Sequence, residues 1–231
     1  MNIHGLQKLT LLDYPGKVAC TVFLAGCNLR CPFCHNSELL DAAAAEPVMD
    51  DKALLDFLKK RKGMLDGVAF TGGEPLLRPE LPELLHAVRS LGYPVKLDTN
   101  GTRPDALRRV IEEGLADYVA MDIKNSPERY AETCGVAEMD LSPVYASVEL
   151  LLTGKVDHEF RTTVTAELHD DASFPAIGSM IAGAKRYFLQ PFKDRDTVLF
   201  SGFHAPDGET LRRWAEIASP YVEAVGIRGD A

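Results

Sequence analysis

Along the chain, short apolar or β-branched runs alternate with longer segments in which apolar side chains recur every three to four positions. The short runs are VACTVFL (18–24), GVAF (67–70), PVKLD (94–98), DYVAMDI (117–123), HEFRTTV (158–164), RYFLQ (186–190) and YVEAVGI (221–227). Their length and composition predict strands. The longer segments carry helix ends. In DDKALLDFLKKRKG (50–63) an aspartate cap precedes the stripe Ala53, Leu54, Phe57, Leu58, and Gly63 supplies the stop. In the segment 78–92, Leu81, Leu84, Leu85, Val88 and Leu91 follow the helical period up to Gly92. The segment 103–114 has Pro104 in its first turn and Gly114 at its end. Further helices are predicted over 142–154, about 173–184 and 207–218.

This alternation predicts an α/β fold of parallel strands. Six or seven βα units are too few for a closed eight-fold barrel. They suit an open partial (β/α)6 TIM-like barrel, with room for one extra terminal strand, in a single domain spanning 1–231. After the last apolar residue of successive strands come AGCNLRC, TGGEP, DTNG, DIK, RTT and QPF. Polar, glycine-rich and thiol-bearing residues therefore gather at the carboxyl end of the sheet, where α/β folds bind ligands.

Composition narrows the function classes. With 231 residues, 46% of them hydrophobic, the chain can bury roughly 70% of its unfolded surface and needs no disulfide to hold a core. The net charge of −9 and the absence of a basic cluster beyond KKRK (59–62), expected at the solvated end of a helix, argue against nucleic acid as a partner. No leader pattern and no apolar run of about 18 residues is apparent, so the reading is a cytoplasmic protein with no membrane span. Thiols stay reduced there, which turns attention to the cysteines.

Three of the five cysteines, Cys27, Cys31 and Cys34, fall within eight positions. Free cysteines can be small core hydrophobes. A zinc site would want a fourth ligand from a second pair. Cys20 sits mid-strand and Cys134 in a later helix, both read as structural, and His35 could complete zinc only through strained geometry. A cubane iron–sulfur cluster on three thiolates is the third reading, and it would leave one iron open for a ligand. His158, His169 and His204 show no ligand spacing and are read as structural or surface residues.

The spacing C-x3-C-x2-C in CNLRCPFC resembles the signature of the radical S-adenosylmethionine (SAM) enzymes, and GGEP (72–75) resembles a second motif of that family. DTNG (98–101) and MDIK (121–124) resemble segments of glycyl-radical-enzyme activators. LTLLDYPGKVACTVFLAGCNLRCPFCHN, FRTTV and LQPF are similar to the branch that activates anaerobic ribonucleoside-triphosphate reductase. The resemblance implies a [4Fe-4S] cluster on Cys27, Cys31 and Cys34, with S-adenosyl-L-methionine completing the open iron; Pro32 and Phe33 would stiffen the loop and shelter the cluster, and Phe33 and His35 are candidate cofactor contacts. It implies that Gly72 and Gly73 let the cofactor approach the backbone, and that Glu74 either binds there or supports the turn. Asp98, Thr99, Asn100 and Asp122 would border the cofactor, with a monovalent cation as a further candidate, while Lys124 and Arg161 would meet its carboxylate. Arg161 could equally pair with a core carboxylate.

The activity so implied is reductive cleavage of S-adenosylmethionine, followed by hydrogen abstraction from a glycine of the reductase. The electron would come from a donor such as flavodoxin or ferredoxin. The rivals are another glycyl radical enzyme as partner, a small-molecule radical enzyme similar to 7-carboxy-7-deazaguanine synthase, and a non-enzymatic metal-binding module.

Overall fold

A computed structural model describes residues 1–229. In chain order its elements are β1 (Asn2–Ile3), β2 (Gly5–Thr10), β3 (Ala19–Leu24), β4 (Met49–Asp50), α1 (Asp51–Lys60), β5 (Gly67–Gly72), α2 (Leu81–Ser90), β6 (Val95–Thr99), α3 (Pro104–Glu112) and β7 (Tyr118–Asp122). Then follow α4 (Tyr130–Thr133), α5 (Ser142–Leu152), β8 (Asp157–Val164), α6 (Ser173–Met180), β9 (Tyr187–Pro191), α7 (Gly208–Ala218) and β10 (Val225–Ile227).

One sheet of eight strands runs in the order β10-β9-β8-β7-β6-β5-β3-β2. From β3 to β10 every neighbouring pair is parallel. This is the expected partial (β/α)6 barrel, and β10 is the extra terminal strand, reduced to three residues after a 3-10 turn at Ser219–Tyr221. The correction lies at the other edge. β2 pairs antiparallel with β3 and carries a register shift between Gln7 and Thr10. GLQKLT reads poorly as a strand because three of its residues are exposed. An edge strand needs only one paired side, and a lysine there guards against further pairing.

The helices form where their caps and stripes dictate. Asp50 accepts the Ala53 amide at 2.7 Å and Asp207 the Thr210 amide at 2.7 Å, each N-cap worth about 1 kcal/mol. Leu54 and Leu58 of α1, Leu81, Leu84, Leu85 and Val88 of α2, and Leu107, Val110 and Ile111 of α3 are buried. Each such side chain contributes about 1.5–3 kcal/mol. Lys59 and Lys60 sit exposed in the last turn of α1, as the charge pattern predicts. Among the described residues no helix is long and apolar enough to cross a membrane.

Strand alternation sends every second side chain to the same face. On one face this aligns Lys96 and Asp98 of β6, Tyr118 and Asp122 of β7, Glu159, Arg161 and Thr163 of β8, and Gln190 of β9. The register sets Lys96 opposite Tyr118, Asp122 opposite Arg161, and Thr163 opposite Gln190.

Candidate active site

The cysteine loop leaves the end of β3 and is tied to its surroundings by backbone. Gly26 N and Cys27 N donate to the carbonyls of Leu39 (2.8 Å) and Leu40 (3.1 Å). The β5 turn then packs beneath it, with Gly73 N donating to Leu24 O (2.8 Å) and Glu74 N to Gly26 O (2.7 Å). The space is tight enough to require glycine. A Cβ on Gly72, where φ is +120°, would overlap the Leu24 backbone, and one on Gly73 would overlap the Gly26 carbonyl. The sequence reading assigned these glycines to ligand approach. Both line the cavity, but the positions a Cβ would take are filled by the cysteine loop's own backbone.

Above the carboxyl ends of the strands lies a cavity of about 210 Å³ lined by Cys27, Cys31, Cys34, Gly72, Gly73 and Thr99. Asp98, Asp122, Lys124 and Arg161 share it, as do Phe33, His35 and Asn100. Of the sequence-predicted site residues only Glu74 stays out of it. Its carboxylate is buried and accepts from Leu76 N (3.0 Å), Thr99 Oγ1 (2.9 Å) and Asn100 N (2.6 Å), so it is a strut between the β5 and β6 turns. Burial pushes its pKa up to about 7 against those three donors.

Lys96, Asp98, Arg161, Asp122 and Lys124 form a continuous file. Lys96 pairs with Asp98. Arg161 reaches Asp98 at 3.3 Å and Asp122 at 2.9 Å. Lys124 Nζ meets Asp122 at 3.0 Å. Apart from this file, the partly exposed Arg228 grips the fully buried Glu159 through two 2.6 Å bonds, and the Tyr118 hydroxyl donates to the same carboxylate at 2.6 Å. Burial raises the Asp98 and Asp122 carboxyls, but Arg161, with Lys96 and Lys124 respectively, outweighs it: both end below the carboxylate norm, Asp122 at about 2. Arg161 pairs with both carboxylates and at the same time lines the cavity.

The aromatic residues of the loop are pinned. Phe33 packs edge-on against Phe192 and Phe203, with ring centroids 6.5 and 6.1 Å apart. His35 stacks on Phe192 at 5.2 Å and its Nε2–H donates to Lys193 O at 2.6 Å, which fixes the tautomer. Asn100 bonds Asn28 through its side-chain amide at 3.1 Å, binding the β6 turn to the cysteine loop. Burial raises the Cys27 thiol to about 11 and also raises that of Cys34.

The sequence reading missed several participants. Asn36 Nδ2 donates to Gly72 O at 3.0 Å. Lys96, 1% exposed, neutralises Asp98 from below. Thr71, Thr163 and Gln190 line the cavity. Lys96, Glu159 and Thr163 share the period-2 face of Asp98 and Arg161, but which groups they meet is set by the neighbouring strands. His158 and His169 are buried, while His204 is surface-exposed and pairs with Glu167 at 2.7 Å. Cys20 is a core residue of β3.

Three soft sulfur donors on one cavity wall suit iron–sulfur coordination. Among the described residues no three His, Cys, Asp or Glu side chains converge on a single ion. A cubane does not require that convergence, because each thiolate takes a different iron.

Comparison with known proteins agrees with this geometry. Residues 21–166 match the Radical SAM superfamily. A Methanocaldococcus jannaschii protein described as a glycyl-radical enzyme activating enzyme is 30% identical over 98% of this chain and 95% of its own length. A 7-carboxy-7-deazaguanine synthase of Halobacterium salinarum is 27% identical over 86% of this chain and 75% of its own. Among solved structures, a domain of the pyruvate-formate lyase-activating enzyme from Bacteroides vulgatus superposes with a TM-score of 0.58 at 19% identity, covering 71% of this chain and 99% of that one. The chain belongs to the radical SAM superfamily of oxidoreductases, whose chemistry uses S-adenosylmethionine and an iron–sulfur cluster. Within the superfamily its likeness is to the glycyl-radical-enzyme activators.

Proposed function

We propose that this protein activates anaerobic ribonucleoside-triphosphate reductase by abstracting hydrogen from a glycine of that enzyme. Cys27, Cys31 and Cys34 would hold a [4Fe-4S] cluster in the cavity. When bound, cluster and S-adenosylmethionine supply reductive carbon–sulfur cleavage and, through it, hydrogen-atom abstraction. The chain's own residues bind, orient and shield.

The observation that carries this reading is that the three loop thiols share one cavity with Asp98, Asp122, Lys124 and Arg161. The file links three cations, Lys96, Arg161 and Lys124, through two carboxylates, Asp98 and Asp122. Lys96, buried outside the cavity, takes part of the Asp98 charge, which leaves Arg161 and Lys124 on the cavity wall as the groups for a ligand carboxylate. Asp98 and Asp122 are already engaged, so a monovalent cation would have to compete with Arg161 and Lys124 for them. Gly72 and Thr99 also line the cavity, with the Gly72 carbonyl held by Asn36 and the Thr99 hydroxyl by Glu74. Phe33, His35 and Phe192 close the aromatic side.

The support for a macromolecular substrate is the lateral mouth. A second cleft of about 510 Å³ shares His35, Arg161, Thr163 and Gln190 with the site and opens between Leu11 and Leu12 on one bank and Lys193, Arg195 and Arg228 on the other. Leu11 and Leu12 are 67% and 86% exposed. A partner's loop can enter there from the side. The electron donor would be a small redox protein such as flavodoxin or ferredoxin, and the setting cytoplasmic.

The test is anaerobic reconstitution, mixing with the reductase and a reductant, and electron paramagnetic resonance. The expected result is a glycyl doublet together with methionine and 5'-deoxyadenosine. Those two products without any doublet would overturn the activase reading in favour of a small-molecule radical enzyme.

A further inference from the structure

Beyond the end of β7, Ile123, Lys124 and Asn125 are each tied to β8 or the loop after it through a buried polar side chain. Ile123 N donates to Arg161 O at 2.8 Å, and the Ile123 carbonyl accepts the Thr162 hydroxyl at 2.8 Å. The Asn125 amide donates to Leu168 O at 2.7 Å and to Thr133 Oγ1 at 2.9 Å, while its oxygen accepts Ser126 N at 2.7 Å. Between them, the Lys124 carbonyl meets His169 Nε2 at 3.0 Å. Thr162, Asn125 and His169 are all buried.

Both ring nitrogens of His169 are committed. Thr165 N–H donates to Nδ1 at 3.2 Å, so Nδ1 is the acceptor and the ring proton sits on Nε2, aimed at the Lys124 carbonyl. The ring packs tilted against Phe174 of α6 and Trp214 of α7, with centroids 6.3 and 6.4 Å away. Trp214 is itself anchored, its indole N–H donating to Asp171 at 2.8 Å. The imidazole therefore has one orientation. His169 stands behind the cavity wall, whereas Lys124 lines it and reaches Asp122 at 3.0 Å. Arg161 is oriented by the ladder of β8, but β7 ends at Asp122, so no ladder orients Lys124. A long flexible stem brings its ammonium to a fixed point only when the backbone beneath it is fixed.

We propose that His169 is a positioning residue for the S-adenosylmethionine site: its Nε2–H holds the Lys124 carbonyl and thereby places the Lys124 ammonium for the cofactor's carboxylate. The inference rests on the reading above, in which Lys124 meets that carboxylate. Loss of the bond lets the β7 loop sample arrangements from which Lys124 does not reach the ligand, and apparent affinity falls with the fraction of molecules still competent. A buried hydrogen bond is worth about a fivefold change in an equilibrium.

The experiment compares wild type with His169→Gln, whose amide nitrogen can take the place of Nε2, and His169→Asn, whose oxygen can replace Nδ1 but whose reach stops short of Lys124. Each is reconstituted anaerobically, assayed for iron and sulfide, and measured for S-adenosylmethionine affinity by equilibrium dialysis, alone and combined with Lys124→Met. Urea unfolding of the cluster-free proteins reports folding, and His169→Leu, which lacks both bonds, replaces Asn if Asn does not fold. At unchanged iron content, the dissociation constant should rise about fivefold in Asn and stay near wild type in Gln. In the Lys124→Met background, His169→Asn should have no further effect. Equal affinities in wild type and Asn would overturn the proposal, as would a Gln variant weakened as far as Asn. So would an undiminished Asn effect in the Lys124→Met background, because the effect would then not pass through Lys124. A wild type that takes up no iron and sulfide, or binds no S-adenosylmethionine, would instead overturn the cluster reading itself.

Discussion

Two glycines under the cysteine loop give a quantitative test of how the site is built. A Cβ on Gly72 would stand 2.6 Å from Leu24 N, and one on Gly73 2.7 Å from the Gly26 carbonyl carbon. Ordinary contact is about 3.5 Å or more, so each methyl requires a shift of nearly 1 Å between backbones that no rotamer change can relieve. Gly73→Ala therefore carries an overpacking cost of about 1–3 kcal/mol. It also strains the bonds from Gly73 N and Glu74 N to the loop, each worth about 1 kcal/mol. Gly72→Ala adds the cost of a positive φ, about 1–2 kcal/mol. Gly154, at φ +73° with nothing within 4 Å of its Cβ position, isolates that backbone cost alone. The expected order of destabilisation is Gly72→Ala, then Gly73→Ala, then Gly154→Ala, read from urea unfolding of the cluster-free protein. Iron uptake on anaerobic reconstitution should fall in the first two and hold in Gly154→Ala. A Gly73→Ala variant with wild-type stability and full iron uptake would refute the close-approach argument.

Other consequences follow from the buried groups. Glu74, raised to about 7, binds its proton more tightly folded than unfolded, so its contribution falls as pH rises from about 4.5 to 7, by about 3 kcal/mol. His169 behaves oppositely: burial holds it at about 4, so its contribution grows by about 3 kcal/mol as pH rises from 4 to 6.5. Relative to wild type, the pH slope of the urea midpoint between pH 5 and 6.5 should become more falling in His169→Gln and more rising in Glu74→Gln. Arg228→Met strips the fully buried Glu159 of its bidentate partner and should cost about 3–5 kcal/mol, most of it recovered when Glu159→Leu is added. An Arg228→Met protein of wild-type stability would show that the pair does not hold β10 to the barrel.

The layout was largely readable from the sequence because hydrophobic period and turn glycines agree with the final fold. The strands β3 and β5 to β9 and the helices with caps fell where pattern placed them, β10 is present in shortened form, and the short pair β1 and β4 was not foreseen. What escaped has a common physical origin. β2 is an edge strand whose polar residues obey solvent rather than a core. Lys96, Glu159 and Arg228 are polar groups inside a barrel, and their meaning depends on which strands become neighbours, which spacing within one strand does not record. Glu74 sat inside a recognised motif, but its engagement by the Thr99 hydroxyl and the Asn100 amide comes from a separate turn. The same is true of Cys134, whose carbonyl accepts the Arg30 amide of the cysteine loop.

The central claim is that three loop thiols hold an iron–sulfur centre with a position open to S-adenosylmethionine beside Lys124. The most direct measurement is the electron paramagnetic resonance spectrum of the reduced, anaerobically reconstituted protein with and without S-adenosylmethionine. The account predicts a cluster signal whose g-values change when S-adenosylmethionine is added, and loss of that signal in Cys27→Ala, Cys31→Ala and Cys34→Ala. A spectrum indifferent to S-adenosylmethionine, or a protein that takes up zinc and no iron, would contradict it.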